Sequence, residues 1–308
     1  MNKTFKSIIQ EICIEENIKL RFLSKDWVMM LEKDGKTRFI SGYKFDLNSH
    51  GLGLVVDDKF ALFEVLKEKN IPVTEHKIVY NKTNTNDYAI GSNTYEYVKV
   101  FLKENNNNIV IKTNNGSCGH NVYNVRNENE IDNILDKIFK SNYSISICPF
   151  YDIKHEYRVL VLDGEVRLIF TKYLPIVIGD GEKSIRKLLQ EFNYDFFIEK
   201  LQDSKYDRIL NKNETFQYNW KFNLAQGSIA KKLDNNELKE KLENLAKNIC
   251  KKIDFRFGSI DIIETINNEL LVLELNSGVM LENYLRLNPD EYEAVKDIYK
   301  CAINKMFI

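Results

Sequence analysis

Residues 258–276 constrain the fold of this chain more than any other segment, because two apolar stretches there flank a pair of asparagines. Asn267 and Asn268 tolerate the left-handed backbone conformation, so they predict a two-residue turn between antiparallel strands. In that register Asp261 lies directly opposite Glu274. Most other side chains of both strands are Ile, Leu or Val, which predicts a hairpin that is covered on both faces.

The opposed acids indicate a metal site. Two carboxylates that face each other across a strand pair repel, and burial strengthens the repulsion. A hard divalent cation relieves it by taking oxygen ligands from Asp261, Glu274 and Asn276, which shares the face of Glu274. We therefore expect Mg²⁺, for which Mn²⁺ can substitute, with phosphate oxygens of a substrate as further ligands. Protonation of one acid would also relieve the repulsion, and a solvated hairpin with an accidental acidic pair is the alternative to a site.

A glycine-containing loop follows a predicted strand that ends at Lys112. Gly116, Ser117 and Gly119 lie between this strand and a second one at 121–125, which indicates a β-hairpin flap. Small residues let backbone N–H groups approach phosphate oxygens, and the lysine would add an ammonium to the same phosphates. Taken alone, the loop is explained equally well as a plain turn.

A second hairpin is predicted by Asp163 and Gly164, a pair that favours a two-residue turn. Its register places Arg158 on a face opposite an apolar one, where a guanidinium would match a phosphate or a carboxylate. A surface arginine is an equally good explanation. The apolar face is predicted to contain Tyr157, Val159, Val161, Val166, Leu168 and Phe170.

The rest of the sequence indicates an α+β chain of two or three lobes. Apolar residues at helical spacing predict helices, and an Asp-Gly pair predicts a hairpin within 27–40. The long polar stretch 203–234 is typical of a mobile loop near a site. The predicted helices are 4–16, 60–69, 235–252 and 290–306.

Composition limits the classes of function. A net charge of −1 over 308 residues argues against nucleic-acid binding by charge. No apolar run predicts a membrane span, and the N-terminus does not resemble a signal peptide. The five cysteines and four histidines lack disulfide or zinc spacing. We expect a cytoplasmic protein that acts on small molecules, with no nucleic-acid or membrane partner.

Together these motifs resemble the ATP-grasp superfamily, from about residue 40 to about residue 285. Asp58 and Lys59, with the helix and Ile-Pro-Val that follow, are similar to the family's "DK…GIPVP" segment. The strand ending at Lys112 is similar to "VVKP", and the glycine loop to the flap over the triphosphate. The resemblance implies that both lysines contact the nucleotide and that the hairpin acids and Asn276 are the metal ligands.

A closer likeness comes from residues 155–161 and 178–185, which resemble "EYRVLVV…VVGDGxHTI" in the ATP-grasp parts of cyanophycin synthetases and bifunctional glutathione-synthesising enzymes. Residues 223–228 resemble their "NLSTGG" loop, which makes Asn223 a candidate nucleotide contact. This branch implies ligation of a carboxylate to an amine: ATP phosphorylates the carboxylate, the amine attacks the acyl phosphate, and an amide forms.

The resemblance implies an ATP-grasp fold with a reduced N-terminal lobe at 1–57. A central subdomain with the flap at 58–150 and a C-terminal subdomain with the metal site at 151–308 would clasp the nucleotide. ATP and Mg²⁺ are the implied cofactors, and a small-molecule carboxylate and an amine are the implied substrates. A homodimer is the default assembly for such an enzyme.

The candidate cations near the transferring phosphate are Arg158, Lys172 and Arg256, the last of which is explained equally well as part of a structural ion pair. The chain departs from the family at 148–150, where Cys-Pro-Phe replaces a pair of glutamates. Two further functions stay open. One is a kinase on the same scaffold, and the other is a nucleotide-binding module without catalysis, which the departure at 148–150 favours.

Overall fold

The computed structural model describes residues 4–81, 95–116, 119–191 and 203–308. These residues form four antiparallel sheets and the helices that pack on them. The helices are α1 (Phe5–Glu15), α2 (His50–Asp57), α3 (Lys59–Glu68), α4 (Tyr95–Glu104), α5 (Ile131–Phe139), α6 (Ile185–Glu191), α7 (Asn236–Ile253), α8 (Glu282–Leu287) and α9 (Tyr292–Met306). The strands are β1 (Lys19–Leu23), β2 (Val28–Lys33), β3 (Lys36–Ser41), β4 (Lys44–Phe45), β5 (Lys77–Tyr80), β6 (Ile109–Thr113), β7 (Val122–Val125), β8 (Ser144–Pro149), β9 (Ile153–Leu162), β10 (Glu165–Tyr173), β11 (Ile176–Ile178), β12 (Thr215–Gln217), β13 (Ile229–Lys232), β14 (Phe257–Thr265) and β15 (Leu270–Asn276). The four predicted helices are confirmed as α1, α3, α7 and α9.

The N-terminal sheet has the order β1-β2-β3-β4. Its central hairpin closes through Asp34 and Gly35, which both have positive φ, so the predicted Asp-Gly turn is confirmed. The apolar face of this sheet shares one core with α1, α9 and the C-terminal sheet. The N-terminal elements are therefore held by the C-terminal part of the chain. Members of the shared core include Ile9, Leu31, Ile40, Phe257 and Ile303.

The central sheet has the order β5-β8-β6-β7 and two different faces. Because side chains alternate along a strand, Lys112 and its cross-strand neighbour Ser146 share one face. The opposite face packs on α4 and α5 and is fully buried. Its isoleucines are Ile109, Ile111, Ile145 and Ile147. The predicted flap hairpin is confirmed, because β6 pairs with β7 on either side of the glycine loop.

The C-terminal sheet has the order β13-β10-β9-β14-β15. Helices α3 and α7 cover one of its faces with apolar side chains such as Leu62, Leu66, Leu242 and Ile249. The other face packs partly against the N-terminal elements. Where that apolar covering ends, the same face carries charged residues, and these form the candidate site.

Residues 266–269 connect β14 to β15. Because Thr265 N donates to Glu269 O at 3.0 Å, three residues lie between this pair, and the predicted two-residue turn is wrong. The extra loop residue by itself would shift the register by one. A β-bulge at Leu273 restores the register, so Asp261 does lie opposite Glu274 as predicted.

The turn between β9 and β10 at Asp163 and Gly164 is confirmed, with φ of +47° and +81°. Beyond Val166 a β-bulge at Arg167 shifts the register by one. The shift moves the residues of β10 after Arg167 to the opposite faces of the sheet from those predicted.

First, Phe170 pairs with Arg158, so Leu168 and Phe170 share the face of the arginine. The prediction that they lie beside Tyr157 is wrong. Second, the bulge brings Lys172 to the arginine's face, opposite Glu156. In the predicted register the lysine would have pointed away from the arginine.

The described part of 203–234 is not one long loop, because it contains β12 and β13. The latter pairs with β10 and extends the C-terminal sheet. Among the described residues, none of the helices combines the length and the apolar character that crossing a membrane requires.

Candidate functional site

An ion network on the C-terminal sheet is the centre of the candidate site. Three neighbouring strands place Glu274, Asp261 and Arg158 in one cross-strand row. Arg158 donates two parallel hydrogen bonds to Asp261, from Nε at 2.8 Å and from a terminal nitrogen at 2.6 Å. Such a bidentate pair fixes the orientation of both side chains.

The next cross-strand row adds Glu156 and Lys172. The ammonium of Lys172 donates to Glu156 at 2.5 Å and to Oδ1 of Asp261 at 3.0 Å. The lysine and both carboxylates are almost completely buried. The charge of this lysine is therefore compensated by protein carboxylates, whereas the side chain of Arg158 is partly exposed and can also reach a ligand.

Electrostatics in the network favour ionised Asp261. Burial by itself would raise the pKa of this carboxyl, but the charges of Arg158 and Lys172 outweigh burial and hold the pKa far below its usual range. For Glu156 the balance is opposite, because burial raises the pKa of its carboxyl more than Lys172 lowers it. The two buried acids therefore have different environments although both contact the same lysine.

These contacts correct the electrostatic argument made from sequence. The charge of Asp261 is compensated by Arg158 and Lys172, so the opposed carboxylates do not need a metal in order to coexist. The amide of Asn276 also lies between the acids, with Nδ2 3.4 Å from Asp261 and 3.3 Å from Glu274.

The donors still fit Mg²⁺, which prefers carboxylate and amide oxygens. Glu274 is half-buried and its carboxylate has no cationic partner within 4 Å among the described residues. Asp261 would offer an oxygen once the long contact from Asn276 is released, and a flip of that amide would turn its own oxygen toward the same point. Among the described residues, no cluster of three or more His, Cys, Asp or Glu side chains could hold a metal ion.

Lys112 on the central sheet supplies the second part of the site. Its side chain is buried and makes no ion pair or hydrogen bond with the described residues. Lys59, the first residue of α3, donates to Gly116 O at 2.6 Å and to Asn114 O at 3.4 Å. We call Lys59 and Lys112 the lysine pair.

The positive charges of the lysine pair favour binding of an anion. Burial, and then the charge of Lys112, lower the pKa of Lys59, while the charge of Glu274 opposes this shift. Two ammonium groups that repel each other in a low-dielectric setting are stabilised by a bound anion. The influence of Glu274 also places Lys59 within electrostatic range of the candidate metal-binding carboxylate.

Asn114 holds the lysine pair in place. Its side chain accepts from Phe60 N at 3.2 Å and donates to Asp58 at 2.6 Å, and Asp58 in turn caps α3 through Ala61 N at 2.8 Å. The start of α3 is therefore tied to the loop that follows β6. Sequence reasoning missed Asn114, because an Asn in a polar loop carries no distinguishing pattern.

The glycine loop has two positions at which a Cβ would be crowded. A Cβ at Gly116 would lie 1.8 Å from Thr113 Oγ1. Gly119 has φ +69°, and a Cβ there would lie 2.8 Å from Asn223 Nδ2. Lys221 donates to Gly119 O at 3.2 Å. The structure thus brings the predicted residues Gly119 and Asn223 together, while Ser117 lies outside the described residues.

Arg256 is not part of the ion network. It forms a two-point ion pair with Asp163 at the turn between β9 and β10, at the far end of the sheet. This contact agrees with the alternative that Arg256 belongs to a structural ion pair. Glu156 was not proposed as a site residue from sequence, although strand alternation places it on the face of Arg158.

No family model matches the sequence. The chain is similar to "Glutathione biosynthesis bifunctional protein GshAB" of Streptococcus mutans, with 26% identity over 151 residues, and to the protein of the same name from Clostridium perfringens, with 30% identity over 155 residues. The matches cover 48% and 49% of this chain but only 18% of either relative.

Two solved structures show the fold. A bifunctional glutathione synthetase from Pasteurella multocida matches with a TM-score of 0.52 at 15% identity, over 92% of this chain and 43% of that one. D-alanine–D-alanine ligase from Bacillus anthracis matches with a TM-score of 0.53 at 14% identity, over 82% of this chain and 66% of that one. The chain has the ATP-grasp fold, and its resemblance to the ATP-grasp superfamily is confirmed.

Proposed function

We propose that the protein is an ATP-dependent ligase that joins a carboxylate to an amine through an acyl phosphate. The observation that carries the proposal is the pairing of two groups of opposite character. The lysine pair offers cations for phosphate oxygens, and Glu274, with Asp261 and Asn276, offers oxygens for a metal. A metal–triphosphate complex needs both.

The described residues suggest separate roles in this reaction. Lys112 and Lys59 would hold the phosphates, and Arg158 would bind the transferring phosphoryl group with the edge that Asp261 leaves free. Mg²⁺, held by Glu274, Asp261 and Asn276, would supply charge neutralisation on the phosphate oxygens. Lys172 would act indirectly, because both carboxylates that it contacts belong to the protein.

The chemistry has two steps. A carboxylate oxygen of the substrate attacks the γ-phosphorus and ADP leaves, which gives an acyl phosphate. The amine then attacks the acyl carbon, orthophosphate leaves, and the amine loses a proton. Because an acyl phosphate hydrolyses in water, the contact between Gly119 and the loop around Asn223 is well placed to close the site.

Orthophosphate release on mixing the protein with ATP, Mg²⁺ and panels of amino acids tests the proposal, with mass spectrometry of the products. A ligase requires both substrates and yields an amide with orthophosphate. A kinase yields a stable phosphorylated product without orthophosphate, and a binding module yields neither while ATP still raises its melting temperature. Glu274→Gln and Lys112→Ala should each lower turnover by orders of magnitude and leave the fold intact.

A further inference from the structure

A buried polar relay connects the two lobes beside the lysine pair. It consists of Ser146 on β8, His76 before β5, and Thr74 in the segment that leads to β5. All three are almost completely buried. Nδ1 of His76 lies 2.6 Å from Ser146 Oγ, and Nε2 lies 3.3 Å from Thr74 Oγ1.

The direction of the hydrogen bond at the far end of the relay follows from its partners. The hydroxyl of Thr74 donates to Val272 O at 3.3 Å, so it accepts from His76, which carries a proton on Nε2. Burial, followed by the charges of Lys112 and Lys59, holds the pKa of His76 well below its usual value. The ring is therefore neutral, and its unprotonated Nδ1 accepts from Ser146 Oγ at 2.6 Å.

Each end of the relay adjoins a different half of the candidate site. Ser146 is the cross-strand partner of Lys112 on the central sheet. Val272 lies on β15, two residues before Glu274. The backbone reinforces this end, because Thr74 N donates to Val272 O and Val272 N donates to Pro72 O, each at 2.9 Å.

We propose that the Ser146–His76–Thr74 relay is a positioning device that fixes the lysine pair relative to Glu274 and thereby sets the affinity for the metal–triphosphate complex. The inference rests on the proposed nucleotide site. None of the three side chains needs to touch the nucleotide. A hydrogen-bonded chain with one permitted direction allows one arrangement of the two lobes, whereas an apolar contact at the same place would allow several.

Thr74→Val and Thr74→Ser form the sharpest test. Valine has nearly the shape of threonine but no hydroxyl, while serine keeps the hydroxyl. Calorimetric titration with Mg²⁺ and AMP-PNP should give a Kd raised about tenfold for Thr74→Val and within about twofold of wild type for Thr74→Ser. His76→Phe, which keeps a ring without nitrogens, should raise the Kd at least as much, and Ser146→Ala should act in the same direction.

Ile138→Val in α5 is the control for a merely structural role, because it thins the core of the central lobe away from the relay. Its melting temperature should fall while its Kd stays at the wild-type value. Equal affinity in Thr74→Val and wild type would overturn the inference, as would a loss of affinity in Ile138→Val of the same size. If His76→Phe does not fold, the comparison of Kd between Thr74→Val and Thr74→Ser still tests the inference. A wild-type protein that binds no AMP-PNP would instead overturn the proposed function, and the relay's role with it.

Discussion

Arg158 engages both carboxylate oxygens of Asp261, and Lys172 engages one of them as well. The acid that the metal would use is therefore already part of the protein's own ion network. Glu274, directly across the strand pair, lacks such cations among the described residues and keeps its carboxylate available. The two opposed acids should behave differently when they are neutralised.

Asp261→Asn should lower the free energy of unfolding by about 3–5 kcal/mol, because it leaves two cations without their shared carboxylate. Glu274→Gln should lower it by less than about 1 kcal/mol, since among the described residues the hydrogen-bond partner of this carboxylate is the amide of Asn276. Urea unfolding followed by circular dichroism measures both. Equal losses in the two variants would show that the ion network does not hold Asp261.

Lys112→Met should keep or raise the melting temperature and abolish measurable AMP-PNP binding. The substitution removes a buried ammonium that has no ion-pair partner in the described chain and that repels Lys59. Lys140→Met, at an exposed lysine of the same lobe, is the control and should bind as wild type does. A clearly destabilised Lys112→Met protein would mean that the ammonium has a structural partner.

The neutral state of His76 predicts an acid-dependent loss of stability. Its pKa in the folded protein lies well below the ordinary 6.5, so below pH 6.5 the unfolded chain takes up a proton that the folded chain does not. Between pH 7.5 and pH 5.5 this linkage should lower the free energy of unfolding by about 1.4 kcal/mol. In His76→Asn that share of the loss should be absent. Identical pH profiles in the two proteins would contradict the assignment of a neutral imidazole.

Gly119→Ala should lower turnover about tenfold or more, because a Cβ would meet Asn223 and displace the contact between the glycine loop and the neighbouring loop. Gly164→Ala is a matched control. That glycine also has positive φ, +81°, but a Cβ there meets nothing within 4 Å. Backbone strain of about 1 kcal/mol is then common to both variants. Similar turnover in the two would remove the case for a closing contact.

The resemblance of several motifs to the ATP-grasp superfamily predicted the fold, and the turn-centred pairing of the strands predicted the facing of Asp261 and Glu274. The facing was right although the turn was not, because a longer loop and a bulge cancel. β-Bulges are the main limit on predicting strand register from sequence. The bulge at Arg167 decides which face Lys172 occupies, and a single inserted residue of this kind leaves no mark in an apolar strand pattern.

The roles of buried polar residues were harder to predict. His76 had no motif around it, and its partners Ser146 and Thr74 come from distant parts of the sequence. Glu156 stood inside a recognised motif beside Arg158, and alternation alone would have placed it on the same face. The partners of a buried charge depend on tertiary pairing, which local periodicity does not encode.

The most direct test of the account is a crystal structure of the protein with Mg²⁺ and AMP-PNP. We expect the triphosphate to contact the ammonium groups of Lys59 and Lys112, with Mg²⁺ between the phosphates and the oxygens of Glu274, Asp261 and Asn276. A nucleotide bound away from the lysine pair, or a metal that leaves Glu274 uncoordinated, would contradict the proposed site.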